Sequence, residues 1–209
     1  MRAGADAGAS SPGLLRVLER AQQLGFLGPG PVDAHVAHAA AYLPVLEGVS
    51  GRIADLGSGA GLPGLPIALA RPDLALVLVD AGERRVEALR RAVEELGLEA
   101  RVDVVLGRAE VVGRGELRGT LDAVVARAFG PPAVTAECAA PLLRLGGRLI
   151  VSEPPDGAHR WPAEAIAELG LAIGARLAGP PHLQVLDQVH VCPDTFPRRD
   201  GLPAKRPLF

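Results

Sequence analysis

Cysteine, lysine and aromatic side chains are scarce in this chain of 209 residues, which has two cysteines, one tryptophan and one tyrosine. Cys138 and Cys192 are far apart and lack the spacing of metal ligands, so they predict buried free thiols rather than a disulfide or a zinc site. The formal net charge is −2. Overall charge therefore gives no general argument for a nucleic-acid partner.

Long apolar runs are also missing, and the first residues are not expected to be a leader segment. The aliphatic runs have the length of a strand, far short of a membrane span. Residues 1–13 are rich in alanine, glycine and serine without the apolar centre of a signal peptide, and we expect them to be disordered. The sequence thus predicts one domain over residues 1–209, located in the cytoplasm and without membrane contact. It leaves the oligomeric state open.

Strand and helix patterns alternate along most of the chain. A helical N-terminal extension is expected over 14–47, with helices at 14–24 and 32–46. Apolar runs of the buried kind predict strands at 52–56, 74–79, 102–106, 121–126, 147–152, 171–177 and 183–192. Helices are expected between them at 64–70, 83–96, 132–143 and 162–169. This order predicts an α/β fold whose seven-stranded, mostly parallel sheet carries helices on both faces, with ligands beyond the carboxyl ends of the strands.

A glycine-rich turn follows the first of these strands. Glycines at alternate positions allow positive φ and a close approach of the backbone to a ligand. A dinucleotide fingerprint would need a third glycine where Leu62 stands. Asp80 ends the next strand, where a carboxylate can accept both hydroxyls of a ribose. These features predict an S-adenosylmethionine (SAM) site, with Asp80 on the ribose, Asp55 near the methionine end and a turn formed by Gly57, Gly59 and Gly61.

Two further strand ends extend this edge of the sheet. The turn that contains Ala109 and Glu110 offers a carboxylate and a backbone amide for an adenine, although Glu110 also fits an ordinary acid at a helix start. Arg127 follows a continuous buried strand, so a specific partner is expected for it. Phe129 is a candidate for stacking on a substrate base, with a core side chain as the alternative. His35 and His38 fit partly buried helix histidines better than substrate contacts.

The C-terminal residues 197–209 are basic and rich in proline. Proline excludes a regular helix here and favours an extended tail. Such a tail can place cations along phosphates, but solvated surface charge explains the pattern equally well. The candidate substrate contacts are Arg198, Arg199, Lys205 and Arg206.

Several of these motifs resemble one family. The stretch Asp55-Leu-Gly-Ser-Gly-Ala-Gly-Leu-Pro-Gly-Leu-Pro66, the tripeptide Arg127-Ala-Phe129 and the basic tail are similar to the bacterial 16S rRNA guanine-N7 methyltransferases, RsmG or GidB, from about Asp33 to the end. The resemblance implies a class I methyltransferase fold, SAM as the methyl donor, and 16S rRNA or the small ribosomal subunit as the partner. In that family, SAM contacts fall on positions that match Gly57, Leu62, Asp80, Ala109, Glu110 and Arg127.

The chemistry implied by the resemblance needs few polar groups. Guanine N7 has a free in-plane lone pair, so alignment alone can drive methyl transfer and no catalytic base or metal is expected. Arg127 is the one candidate for a catalytic role.

The chain departs from the family at two places. Glu153 stands where the family usually carries lysine, and the segment from Phe26 to Pro31 replaces a Trp-Asn-Lys and Asn-Leu-Thr stretch. Two alternatives therefore stay open. One is a SAM-dependent methyltransferase of small molecules, and the other is a non-catalytic SAM-binding paralogue associated with the ribosome.

Overall fold

The computed structural model describes residues 11–156 and 160–209. Most of the segment expected to be disordered, residues 1–10, lies outside the described residues. The rest of that expectation needs correction, because helix α1 already begins at Pro12. Proline suits the first turn of a helix, and the hydroxyl of Ser11 accepts the N–H of Leu14 at 3.2 Å as an N-cap.

The described residues contain nine α-helices and seven strands. The strands are β1 (Gly51–Leu56), β2 (Leu74–Asp80), β3 (Val102–Leu106), β4 (Leu121–Ala126), β5 (Leu143–Glu153), β6 (Leu171–Leu177) and β7 (His182–Gln188). The helices are α1 (Pro12–Gln23), α2 (Val32–Ala40), α3 (Tyr42–Val45), α4 (Gly64–Ala70), α5 (Glu83–Glu95), α6 (Ala109–Val112), α7 (Pro132–Ala139), α8 (Ala163–Ala167) and α9 (Leu202–Lys205).

The strands form one sheet in the order β3-β2-β1-β4-β5-β7-β6. Strands β1 to β5 pair in parallel, and β7 runs antiparallel to both β5 and β6. The predicted seven-stranded, mostly parallel α/β fold is thereby confirmed. The strand order reverses between β1 and β4, and a switch of this kind opens a crevice for ligands beyond the carboxyl ends of the strands.

Some element bounds differ from the predicted ones for local reasons. The second leading helix is split at Ala41, because Pro44 has no N–H to continue the helical hydrogen bonds. The helix predicted over 132–143 ends at Ala139 and continues as a 3₁₀ turn. Strand β5 starts at Leu143, four residues early, and passes Gly146 at positive φ next to a shift in its pairing with β4.

The N-terminal extension packs on one face of the sheet and is anchored by Tyr42. Leu14 and Leu18 of α1 are fully buried there. The Tyr42 ring is also fully buried, and its hydroxyl donates to the carbonyl of Ala126 at 2.9 Å. A buried tyrosine needs such a partner. The extension is thus fixed to the end of β4.

The C-terminal tail packs on the other face of the sheet, and the prediction of an extended tail is wrong. Residues Leu202–Lys205 form helix α9, with Pro203 in its first turn, where a missing N–H costs nothing. Leu208 and Phe209 pack against the core on this face.

Cys138 and Cys192 are both buried and unpaired with each other. Within residues 11–156 and 160–209, every helix is too short or too polar to cross a membrane.

Candidate cofactor and substrate site

The turn after β1 owes its shape to glycine. Gly57, Gly59 and Gly61 have φ of 74°, 55° and 96°, a region that side chains with a Cβ rarely adopt. A Cβ on Gly57 would lie 2.6 Å from Phe129, and one on Gly61 would lie 2.4 Å from Leu65. At Gly59 the nearest atom would be 3.8 Å away. Packing therefore requires glycine at two of these positions, whereas a Cβ on Gly59 would make only ordinary van der Waals contacts.

Asp55 is fully buried at the end of β1. Its Oδ2 accepts the N–H of Gly64 at 2.9 Å, whereas its Oδ1 is buried without a hydrogen-bond partner among the described residues. Burial raises the pKa of Asp55 to about 7, against the opposing effect of the bonds from Gly64 and Ser58. A buried acceptor with no partner is costly, and a cationic donor beside it would relieve that cost. The ammonium group of SAM is a donor of this chemistry.

Asp80 is almost fully buried at the end of β2 and is held by protein donors. Its Oδ2 accepts from Gly59 N at 2.9 Å, and its Oδ1 accepts from Gly82 N at 2.8 Å and Arg85 Nε at 2.9 Å. Burial alone would raise the pKa of Asp80, but the bonds from Arg85 and the two amides outweigh it and lower the pKa. The carboxylate is therefore ionised, and Oδ2 keeps one acceptor site for a ribose hydroxyl.

The turn after β3 lies beside the same edge, because Gly107 N donates to the carbonyl of Asp80 at 3.0 Å. Ala109 and Glu110 are buried at the start of α6. The Oε1 of Glu110 accepts from Arg108 at 2.8 Å and from the N–H of Gly201 in the tail at 2.9 Å. This carboxylate thus fastens the tail, a link that the sequence patterns did not reveal.

Arg127 has a partner on the N-terminal extension. Its Nη2 lies 2.7 Å from Nδ1 of His35, and its Nη1 donates to the His35 carbonyl at 3.3 Å. A guanidinium can only donate, so Nδ1 accepts and the Nε2–H of His35 donates to the carbonyl of Pro29, 3.2 Å away. Burial lowers the pKa of Arg127. The half-buried Arg127 thereby joins α2 to the end of β4.

A cavity of about 350 Å³ opens beyond the ends of β4 and β5. Ala128 has a φ of 54°, an uncommon value for alanine, and it directs the chain into Phe129. Phe129 borders both this cavity and the glycine-rich turn. The polar side chains that line the cavity include His38, Glu153, Arg160 and Trp161. Of these, sequence reasoning missed Arg160 and Trp161, although Trp161 is the only tryptophan in the chain.

The four basic residues of the tail divide into two groups. Arg198 binds Glu137, which is fully buried in α7, through its backbone N–H at 2.9 Å, Nε at 2.8 Å and Nη2 at 2.6 Å. It is therefore part of the folded core rather than a free cation, because a buried carboxylate requires paired donors. Exposed positions on the surface are occupied by Arg199, Lys205 and Arg206.

Comparisons with known sequences identify relatives. The family profile described as "GidB: rRNA small subunit methyltransferase G" matches residues 31–153. A protein named ribosomal RNA small subunit methyltransferase G from Mycolicibacterium gilvum is 39% identical over 189 residues, which cover 83% of this chain and 81% of that protein. A protein of the same name from Rubrobacter xylanophilus is 38% identical over 172 residues, which cover 76% of this chain and 66% of that protein.

Solved structures show the same fold. An O-methyltransferase from Bacillus cereus in complex with S-adenosylhomocysteine (SAH) has a TM-score of 0.58 at 15% identity, covering 85% of this chain and 91% of its own. A methyltransferase from Geobacter sulfurreducens has a TM-score of 0.59 at 12% identity, covering 85% and 90% of the two chains. At such identities the likeness shows a class I methyltransferase fold.

Proposed function

Because the chain belongs to the rRNA small subunit methyltransferase G family of SAM-dependent methyltransferases, we propose that it methylates N7 of a guanine in 16S rRNA of the small ribosomal subunit. The observation that carries the proposal is the juxtaposition at the switch point of the sheet. An anionic, glycine-rich turn suited to SAM lies on one side of Phe129, and a cavity large enough for a base lies on the other. A ribosomal substrate would place the enzyme in the cytoplasm.

Different residues around the turn would bind different parts of the cofactor. The unpartnered Oδ1 of Asp55 suits the ammonium group, and the free acceptor site on Asp80 suits the ribose. Gly59, whose N–H donates to Asp80, has no side chain, so its backbone can approach the ligand closely. Leu62, Ala109 and Glu110 are buried on the same edge, next to the expected position of the adenine. When bound, SAM supplies an electrophilic methyl group.

Positioning is the main task of this chain in the reaction. Guanine N7 carries its lone pair in the plane of the ring, so it attacks without losing a proton. Holding two reactants in line can lower a barrier by about 7–11 kcal/mol. Arg127 acts here as a positioning residue, since its guanidinium fixes α2 over the cavity through His35. No general base is required.

The exposed cations of the tail are suited to phosphate. Guanine N7 lies on the major-groove edge, which is hidden in the deep, narrow groove of an RNA helix. The target is therefore a guanine in a loop, a bulge or an incompletely assembled particle. Phosphates near such a guanine would meet the exposed side chains of Arg199, Lys205 and Arg206.

A second candidate is a methyltransferase of small molecules. It is favoured by the carboxylate of Glu153 in the cavity, where the family resemblance would place a lysine, and by the net charge of −2. A non-catalytic paralogue is favoured only by the altered segment from Phe26 to Pro31.

Methyl transfer from radiolabelled SAM separates these functions. The acceptors are small ribosomal subunits from a strain that lacks the family's enzyme, large subunits, and a protein-free metabolite extract. We expect label only in the small subunit, and mass spectrometry of nuclease fragments should place it on N7 of one guanine. Label confined to the extract would support the second candidate, and no label in any acceptor would support the paralogue.

The RNA surface is tested by substituting the three exposed tail cations with alanine. Each lost phosphate contact should reduce the salt slope of RNA binding by about 0.7–0.9, so the triple variant should lose about 2.1–2.7 units. SAM affinity should stay unchanged. The matched control replaces three exposed arginines on the opposite face of the sheet, Arg16, Arg90 and Arg91. Equal salt slopes in the two triple variants would show that the tail does not contact RNA.

A further inference from the structure

The cavity beyond Phe129 contains a carboxylate that is aligned by two donors. The Glu153 side chain is 2% exposed at the end of β5. Its Oε2 accepts from Arg160 Nη1 at 2.9 Å, and its Oε1 accepts from Trp161 Nε1 at 3.2 Å. An ionised carboxylate offers about four acceptor sites. Each oxygen of Glu153 therefore keeps one site after these bonds are made.

Guanine is complementary to a carboxylate held in this way. Its Watson–Crick edge carries the N1–H and the 2-amino group side by side, and a carboxylate accepts both together. Adenine presents an acceptor at N1 and lacks the 2-amino group, so it cannot form this pair. A carboxylate at the wall of a base-sized cavity thus discriminates between the two purines.

The order of the strands gives the base an orientation. β1, β4 and β5 lie side by side in the sheet, and neighbouring strands are about 4.8 Å apart. The cofactor turn follows β1, Phe129 follows β4, and Glu153 ends β5. In guanine, N7 lies on the edge next to the Watson–Crick edge, and O6 lies between the two. A base whose N7 faces the cofactor turn can therefore direct its Watson–Crick edge toward β5.

We propose that Glu153 is the residue that selects guanine, by accepting the N1–H and the 2-amino group of the target base in this cavity. The inference rests on the proposed function and adds to it the group that reads the base. It also gives a role to the glutamate that distinguishes this chain from the lysine of the family it resembles.

His38 supports the same placement from helix α2. It lines the cavity from α2, and its Nε2 is buried without a hydrogen-bond partner among the described residues. Burial, with smaller effects of Arg127 and His35, lowers the pKa of His38 to about 4, so the ring is neutral near pH 7. Guanine O6 lies between N7 and N1. An Nε2–H at this position can donate to O6 while Glu153 accepts from N1.

Binding of mononucleotides tests the proposal without requiring turnover. Trp161 is the only tryptophan and donates to Glu153, so its fluorescence reports on the cavity. The full chain, saturated with SAH, is titrated with GMP, IMP and AMP. IMP keeps the N1–H and O6 but lacks the 2-amino group. We expect GMP to bind most tightly, IMP several-fold more weakly, and AMP about tenfold or more weakly than GMP.

The decisive variant is Glu153→Gln. It keeps the volume and one acceptor for Trp161, but its amide group would oppose a guanine donor. GMP affinity should fall about tenfold or more while AMP affinity stays unchanged. Glu153→Asp keeps the charge and should retain a preference for GMP over AMP. Glu164→Gln, an exposed acid on α8, is the control and should behave as the native chain.

The failure of this inference differs from the failure of the proposed function. Equal GMP and AMP affinities in the native chain, or an undiminished GMP preference in Glu153→Gln, would overturn the role of Glu153 even if small subunits are methylated. A GMP preference that is lost in Glu153→Gln, together with no transfer to small subunits, would support the role of Glu153 and reject the ribosomal substrate.

Discussion

Replacing Arg198 with alanine should destabilise the fold before it weakens any contact with RNA. The side chain of Arg198 gives Glu137 two hydrogen bonds, at 2.8 and 2.6 Å, and neutralises its charge. The alanine variant keeps only the bond from the backbone N–H. Glu137 is fully buried, so water cannot replace what the guanidinium supplies.

The magnitude follows from the burial of the pair. Removing one partner of a buried ion pair costs about 3–5 kcal/mol. The Arg198 side chain is 23% exposed, and partial screening places the cost at the lower end, about 3 kcal/mol. For a chain of this length, each kcal/mol lowers Tm by about 2–4 °C, which gives a fall of about 6–12 °C. Urea unfolding should show a lower midpoint with an unchanged slope.

Two variants make this result specific. Arg206→Ala removes an exposed cation of the same tail and should change stability by less than about 0.5 kcal/mol. Replacing both Glu137 and Arg198 with methionine removes the charges together and should recover most of the loss, because apolar replacements of buried pairs are often neutral or stabilising. If Arg198→Ala unfolds like the native chain but binds RNA more weakly, the tail is free in solution and the reasoning fails.

Three further predictions concern the cofactor. Asp80→Asn should weaken SAM binding at least tenfold in calorimetry, because losing a charged acceptor costs about 1.5–3 kcal/mol; unchanged affinity in a folded variant would exclude Asp80 from the site. Gly59→Val should abolish SAM binding while circular dichroism shows most of the sheet retained, since a φ of 55° strains a residue with a Cβ and the valine side chain would occupy the expected ligand space, while a Cβ there meets no protein atom closer than 3.8 Å; normal binding would mean that the turn is only structural. Asp55 has a folded pKa of about 7, above its ordinary value of about 3.9, so its stabilising effect is present at low pH and lost as pH rises through 7. The urea midpoint of Asp55→Asn minus that of the native chain should therefore increase between pH 4 and 7. A difference that stays constant over this range would contradict the raised pKa.

The sequence predicted those parts of the molecule that depend on local patterns. The buried runs of β1, β2 and β4 and the apolar face of α5, with Val86, Leu89 and Val93, are repeats that adjacent residues reveal. The alternate glycines after β1 likewise indicate their backbone conformation directly. Local pattern and observed fold therefore agree for most of the sheet.

The parts that the sequence did not predict are pairings between distant residues. Glu137 in α7 reads as an ordinary helix acid, and only its contact with Arg198, 61 positions away, explains its burial. The hydrogen bond that Gly201 N–H donates to Glu110 spans 91 positions. Neither pair has a repeat or spacing that a single sequence could reveal, so the docked tail was missed. The lining of the cavity by Trp161 was missed for the same reason.

The anchoring of Tyr42 to Ala126 also bears on how the chain folds during its own synthesis. The two residues are 84 positions apart, and ribosomes add about 5–20 residues per second. The N-terminal extension therefore leaves the ribosome about 4–17 seconds before its anchor on β4 exists. During that interval the apolar faces of α1 to α3 can pack only on the strands already made, β1 to β3, so the apolar surface that β4 later covers stays exposed to aggregation.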